Sequence, residues 1–93
     1  MQYIFIPEQV RFDRRLSPMA IMVIGEIFRL CLENGGSTYV RNEELAALYG
    51  RDVQTVSAYV RQLCRLGHLR SEQVGIRRRL SVGTEVWRQC RTG

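Results

Sequence analysis

Residues 42–67, NEELAALYGRDVQTVSAYVRQLCRLG, decide the fold, because they hold two helix patterns separated by one tight turn. Asn42 is a candidate N-cap, and the two glutamates after it stand where the positive end of a helix favours anions. Gly50 ends this first short helix. A single residue then separates Gly50 from Asp52, a second candidate cap, and residues 53–66 continue without a helix breaker. The pattern predicts two helices that meet at a tight turn.

The second of these helices has one apolar and one polar side when it is traced at about 100° per residue. The apolar side, which is expected to pack inward, holds Val53, Val56, Val60 and Leu63. The polar side, which contains no acid, holds Gln54, Thr55, Ser57, Ala58, Arg61, Gln62 and Arg65. Small and amide side chains followed by arginines suit a DNA major groove, which admits a helix and presents base edges beside phosphates.

A basic β-hairpin is predicted after this helix. Its strands are expected over residues 68–73 and 76–82, joined by a tight turn at Gly75. Side chains alternate across a strand, so Arg77 and Arg79 are expected to face solvent. The other face is expected to hold Ile76, Arg78, Leu80 and Val82. From that face, Arg78 is expected to reach out near the open end of the hairpin.

The residues before position 42 predict a long helix flanked by two short strands. Residues 3–6 are β-branched and aromatic, which favours a short strand or an extended arm. Ser17 and Pro18 predict a helix start, since serine caps the end and proline suits the first helical position. Asn-Gly-Gly at residues 34–36 ends this helix, and a second short strand is expected over residues 38–40.

Length and composition fit one folded domain. The chain has 93 residues, of which 45% are hydrophobic and 25% charged, as in ordinary globular proteins. We expect a single domain over residues 1–93, with residues 1–16 as an N-terminal arm and residues 83–93 as a tail that docks Trp87. The expected fold class is α+β, with a three-helix core, a two-stranded C-terminal hairpin and a short N-terminal strand.

Positive charge is concentrated in the second half of the chain. All 14 basic residues are arginine, and the formal net charge is +5. Residues 1–50 hold five arginines and six acidic residues, whereas residues 51–93 hold nine arginines and three acidic residues. Such an excess favours a polyanionic partner, so the binding surface is predicted in the second half.

The sequence gives no indication of a metal site or of catalysis. Cys31, Cys64 and Cys90 are widely spaced, which favours reduced thiols that pack as small hydrophobes over a disulfide or a zinc site. His68, the only histidine, has no nucleophile at a motif spacing, and no glycine-rich phosphate-binding motif is present. We therefore expect no metal, no cofactor and no enzymatic activity.

Membrane insertion and secretion are not predicted either. The longest apolar run, residues 19–32, is shorter than the roughly 20 residues of a membrane span and is interrupted by charge. The first residues lack a basic leader and a cleavage site, so a cytoplasmic location is expected.

The long helix carries more apolar residues than one buried face requires. The surplus comprises Met19, Met22, Val23 and Leu30. Two uses stay open at this point: a homodimer interface, or burial beneath the N-terminal strand and the C-terminal segment.

This order of elements resembles the winged helix-turn-helix over nearly the whole chain. Several short motifs look more narrowly like the domains at the start of plasmid and phage replication initiators. These motifs are Ile6-Pro7, Leu16-Ser17-Pro18, NEELA at 42–46, GRD at 50–52, TVS at 55–57 and LCRLGHL at 63–69.

The resemblance implies that the helix after the turn enters the major groove and that the hairpin touches the flanking backbone or minor groove. On this basis, base readout is assigned to Gln54, Thr55, Ser57, Ala58 and Arg61. Contacts to the DNA backbone are assigned to Arg51, Arg65, Arg77, Arg78 and Arg79. If about five arginines contact phosphates, the logarithm of affinity should fall against the logarithm of salt with a slope of roughly −4.5.

The sequence thus predicts a sequence-selective double-stranded DNA-binding protein, acting as a transcription regulator or as a replication-initiator-like module of a mobile element. The alternative is a winged helix whose basic face binds an acidic protein, as an adaptor or as a phage-type inhibitor of a host complex. Gln54→Ala separates the two, because it should relax DNA sequence preference only in the first case.

Overall fold

The computed structural model describes Ile6 and residues 8–83, which form four helices and three strands. In chain order these are α1 (Glu8–Arg11), α2 (Pro18–Glu33), β1 (Ser37–Thr38), α3 (Asn42–Tyr49), α4 (Val53–Arg65), β2 (Leu69–Val74) and β3 (Arg77–Val82). The predicted strand over residues 3–6 and the predicted docking of Trp87 lie outside the described residues, apart from Ile6. The one-turn α1 lies in the predicted arm and places Val10 in the core.

The start and end of α2 follow the prediction. The Ser17 hydroxyl accepts a hydrogen bond from the backbone N–H of Ala20 at 3.1 Å, and Pro18 is the first helical residue. The helix ends before Asn34. Its apolar stripe forms the centre of the core, where Ala20, Val23, Ile24, Ile27, Phe28 and Cys31 are buried. Of the surplus apolar residues of this helix, Val23 is therefore explained by burial in the core.

The start of α3 corrects one prediction. Arg41, not Asn42, is the N-cap residue, and the Glu44 carboxylate accepts from the Arg41 backbone N–H at 2.9 Å. A glutamate at the third helical position satisfies this backbone donor without any help from Asn42. Asn42 becomes the first helical residue, and its side chain is left for contacts outside α3. Gly50 ends the helix with φ of +63°, as predicted.

The start and the apolar face of α4 match the prediction at all but one residue. The Asp52 carboxylate caps the helix, accepting from the Thr55 backbone N–H at 2.8 Å and from the Thr55 hydroxyl at 2.9 Å. Val56, Val60 and Leu63 are buried. The inward assignment of Val53 is wrong: this side chain is 40% exposed, because it opens α4 directly after the exposed turn.

The three strands form an antiparallel sheet in the order β1-β3-β2. Leu80 and Val82 of β3 face the core, as alternation predicts. Ile76 does not, since it lies in the turn between β2 and β3 and is 98% exposed. The first strand is Ser37–Thr38 rather than residues 38–40, because the chain leaves the sheet after Thr38 to enter α3.

Helices α2 and α4 pack against this sheet and α3 packs against α4, which confirms the α+β fold with a C-terminal hairpin. We call the β2–β3 hairpin the wing. None of the helices within residues 8–83 combines the length and the hydropathy of a membrane span.

Candidate nucleic-acid interface

The polar side of α4 is the first part of the candidate interface. Gln54, Ala58, Arg61 and Arg65 are exposed. Thr55 and Ser57 are only partly exposed, and the Thr55 hydroxyl already donates to Asp52. The structure therefore brings the five predicted base-reading residues onto one helix. Their side chains are not equally exposed for contact with a ligand.

The turn before α4 adds one cation and one anion. Arg51 is exposed and forms no ion pair within the described part of the chain. Asp52 beside it is exposed, and hydrogen bonds from Thr55 lower the pKa of its carboxyl. Asp52 is therefore anionic at neutral pH and lies at the N-terminal end of α4. Arg51 is placed to offset its repulsion of a phosphate.

Two arginines of the wing lie on the outer face of the sheet, opposite the buried Leu80. The Arg77 guanidinium stacks over the Tyr39 ring, 4.0 Å from its centroid. Arg79 forms an ion pair with Glu72 on the neighbouring strand. Arg77 therefore keeps its charge without an acidic partner in the described chain, whereas part of the charge of Arg79 is neutralised.

Arg78 points the other way, and the prediction that it reaches outward is wrong. Its guanidinium donates to the Asn42 side-chain oxygen at 2.8 Å and to the Val40 carbonyl at 2.8 Å. Desolvation lowers the pKa of the guanidinium, although it stays charged at neutral pH. Alternation predicts the face correctly, but the acceptors that hold Arg78 come from a segment far away in the sequence.

A groove joins α4 to the wing. Asn42 reaches across it, and its side-chain nitrogen donates to the Ser57 hydroxyl at 2.9 Å. The groove is lined by Asn42, Ser57, Val60, Arg61, Cys64, Arg65, Ser71 and Arg78. The polar side of α4 and the inner face of the wing are thus parts of one continuous surface.

The sequence pattern does not predict the contacts of Asn42 in the groove or of Tyr39 beside Arg77 on the outer face of the wing. It assigns Asn42 to a cap, and that role accounts for its polar side chain. Tyr39 precedes α3 in sequence, and only the pairing of β1 with β3 brings it beside Arg77. Neither role leaves a local signal in the sequence.

The thiols and the histidine have structural partners. Burial raises the pKa of Cys31 to about 11, and its Sγ lies 3.7 Å from the Leu80 carbonyl oxygen. Burial also raises the pKa of Cys64, which keeps this thiol protonated in the groove. His68 Nε2 lies 2.8 Å from a carboxylate oxygen of Asp13. Among residues 8–83, no cluster of histidine, cysteine and acidic side chains is arranged to hold a metal ion.

Fold and surface together define a winged helix-turn-helix protein, with α3 and α4 as the helix pair and the β2–β3 hairpin as the wing. Residues 14–69 match a family model described as a helix-turn-helix domain. The chain therefore belongs to this helix-turn-helix family, which suggests DNA binding and supports DNA as its partner. No curated protein and no solved structure matches the chain.

Proposed function

We propose that the protein is a sequence-selective binder of double-stranded DNA that inserts α4 into the major groove and sets the wing against the flanking backbone. The role we propose is that of a cytoplasmic, non-enzymatic regulator of transcription, or of an initiator-like module of a mobile element. The observation that carries the proposal is the continuous groove between α4 and the wing, which Arg65 lines beside Ser57 and Arg61, two of the base-reading positions.

The side chains divide into readers and phosphate contacts. Gln54 and Arg61 are exposed on α4 and have the donor and acceptor groups that pair with adenine and guanine edges in the major groove. Ala58 is small enough to let the helix approach the bases. Arg51 at the helix start, Arg65 near its end and Arg77 on the wing are exposed, and we assign them to phosphate contacts.

The direct test is selection from a pool of random duplexes at physiological salt. A single enriched consensus is expected, and a symmetric consensus with half-sites about one helical turn apart would report a homodimer. Gln54→Ala should relax the preference at one position, because a bidentate contact to a base contributes about 1–3 kcal/mol of discrimination. Gln9→Ala, the same truncation on α1, is the matched control and should leave the consensus unchanged.

Three outcomes would contradict the proposal. A pool without enrichment, in which scrambled DNA competes equally, would indicate nonspecific coating of nucleic acid. A consensus that is unchanged in both Gln54→Ala and Arg61→Ala would exclude α4 as the reader. Failure to retain DNA, together with tight binding of an acidic protein, would favour the adaptor or inhibitor role.

A further inference from the structure

A chain of hydrogen bonds runs from the wing through α3 to α4. Arg78 donates to Asn42, and Asn42 donates to Ser57. All three side chains are partly buried and line the groove of the candidate interface. The helix-turn-helix match does not account for this series of hydrogen bonds. The series ends at Ser57, on the side of α4 that faces the proposed DNA.

The chemistry of the groups fixes the direction of every bond in the chain. A guanidinium can only donate, so the Asn42 atom that faces Arg78 must be the oxygen. The other end of the Asn42 amide is then its NH₂ group, which can only donate, so the Ser57 oxygen must accept. The hydroxyl hydrogen of Ser57 is consequently not used by Asn42 and is left for another acceptor.

Ser57 lies on the face of α4 that the proposed function sets against DNA. Ser57 lies three residues after Gln54 and four before Arg61, which is the spacing of one helix face. Resting on the proposed function, we infer that Ser57 reads a hydrogen-bond acceptor on a base edge, such as purine N7, guanine O6 or thymine O4. Asn42 and Arg78 are positioning residues that set this polarity, and Arg78 is not a phosphate contact.

Base analogues that delete one edge group at a time test the polarity. They are placed at each position of the selected site, and 7-deazapurines or 2-aminopurine in place of guanine remove acceptors. At one position, such an analogue should weaken wild-type binding about fivefold, the effect of one hydrogen bond, and should weaken Ser57→Ala no further. If Ser57→Ala instead cancels the effect of a donor-deleting analogue, such as purine in place of adenine, the inference is wrong.

Asn42→Asp reverses the polarity with almost no change in shape. A carboxylate still accepts from Arg78, but it can only accept from Ser57, so the hydroxyl hydrogen is drawn away from the DNA. For Asn42→Asp, the affinities for the unmodified duplex and for the duplex with the acceptor-deleting analogue should differ by less than about twofold. Because the readout is a ratio between two duplexes, a general loss of affinity from the added charge cancels. Retained sensitivity would overturn the role of Asn42.

The role of Arg78 has a separate readout in the salt dependence. Arg78→Met should lower affinity and leave the salt slope unchanged, whereas Arg65→Met should reduce the magnitude of the slope by about 0.9. An equal reduction for Arg78→Met would show that Arg78 contacts a phosphate.

A measurement on the free protein separates this inference from the proposed function. In NMR spectra without DNA, Arg78→Met should shift the Asn42 side-chain amide resonances, and unshifted resonances would contradict the chain of bonds. Failure of the wild type to bind any duplex would refute the proposed function even with this shift present. A wild type that binds a consensus without sensitivity at Ser57 would refute only the inference.

Discussion

At the scale of single residues, Asp13 is the carboxylate with the most hydrogen bonds in the described chain. It accepts from the Arg15 backbone N–H at 3.0 Å and from the Arg15 side chain, and it lies 2.8 Å from His68 Nε2. Its side chain is only 6% exposed. His68 follows α4 directly, so this contact ties the segment before α2 to the junction between α4 and the wing.

Asp13→Asn is expected to destabilise the protein by about 2 kcal/mol at pH 7, because it weakens charge-assisted hydrogen bonds to Arg15 and His68. Those bonds hold the pKa of Asp13 well below its ordinary value near 3.9. The contribution of Asp13 is therefore fully present above about pH 4 and is lost as pH falls below that value.

Urea unfolding at pH 7, 5, 3 and 2 checks this prediction. The difference in unfolding free energy between wild type and Asp13→Asn should be constant from pH 7 to 5 and shrink toward pH 2. Glu8→Gln, a neutralised acid on the exposed side of α1, is the control and should change stability little. A difference that stays constant down to pH 2 would show that the ionised form of Asp13 is not what stabilises the fold.

At the scale of elements, the sequence predicts those parts whose signals are local. The start of α2 at Ser17 and the cap of α4 at Asp52 are readable because the capping side chain and its backbone partner are three residues apart. Strand β1 is not readable at its true length, since only its pairing with β3 sets its limits. The inward turn of Arg78 depends on Val40 and Asn42, 38 and 36 residues away, which no local pattern connects.

The turn between α3 and α4 depends on one backbone conformation. Gly50 has φ of +63°, in the left-handed region, and no atom beyond Gly50 and its two chain neighbours lies within 4 Å of the place a Cβ would occupy. Gly50→Ala should therefore cost about 1 kcal/mol through backbone strain alone. Thermal unfolding checks the value, and Gly50→Asn should lose less, because asparagine tolerates this region better. Equal losses for both variants would indicate a steric rather than a conformational cause.

At the scale of the whole molecule, the positive charge is less available than a count of arginines indicates. Arg78 is partly buried and donates to Asn42, and Arg79 is paired with Glu72. In the first half, Arg15 and Arg29 are likewise paired with acids. The exposed arginines that combine a free charge with a place on the candidate interface are Arg51, Arg61, Arg65 and Arg77.

This distribution lowers the expected salt dependence of DNA binding. With Arg61 assigned to a base edge, about three phosphate contacts remain, and the logarithm of affinity should fall against the logarithm of salt with a slope of about −2.7, rather than the −4.5 that five arginines give. Titrations of a selected duplex from about 0.05 to 0.2 M salt measure this slope. Arg65→Met should reduce its magnitude by about 0.9, whereas Arg79→Met should change it by much less, since Glu72 already neutralises that side chain. Equal changes for the two variants would show that Arg79 contacts a phosphate in spite of its ion pair with Glu72, and the proposed set of phosphate contacts would then be wrong.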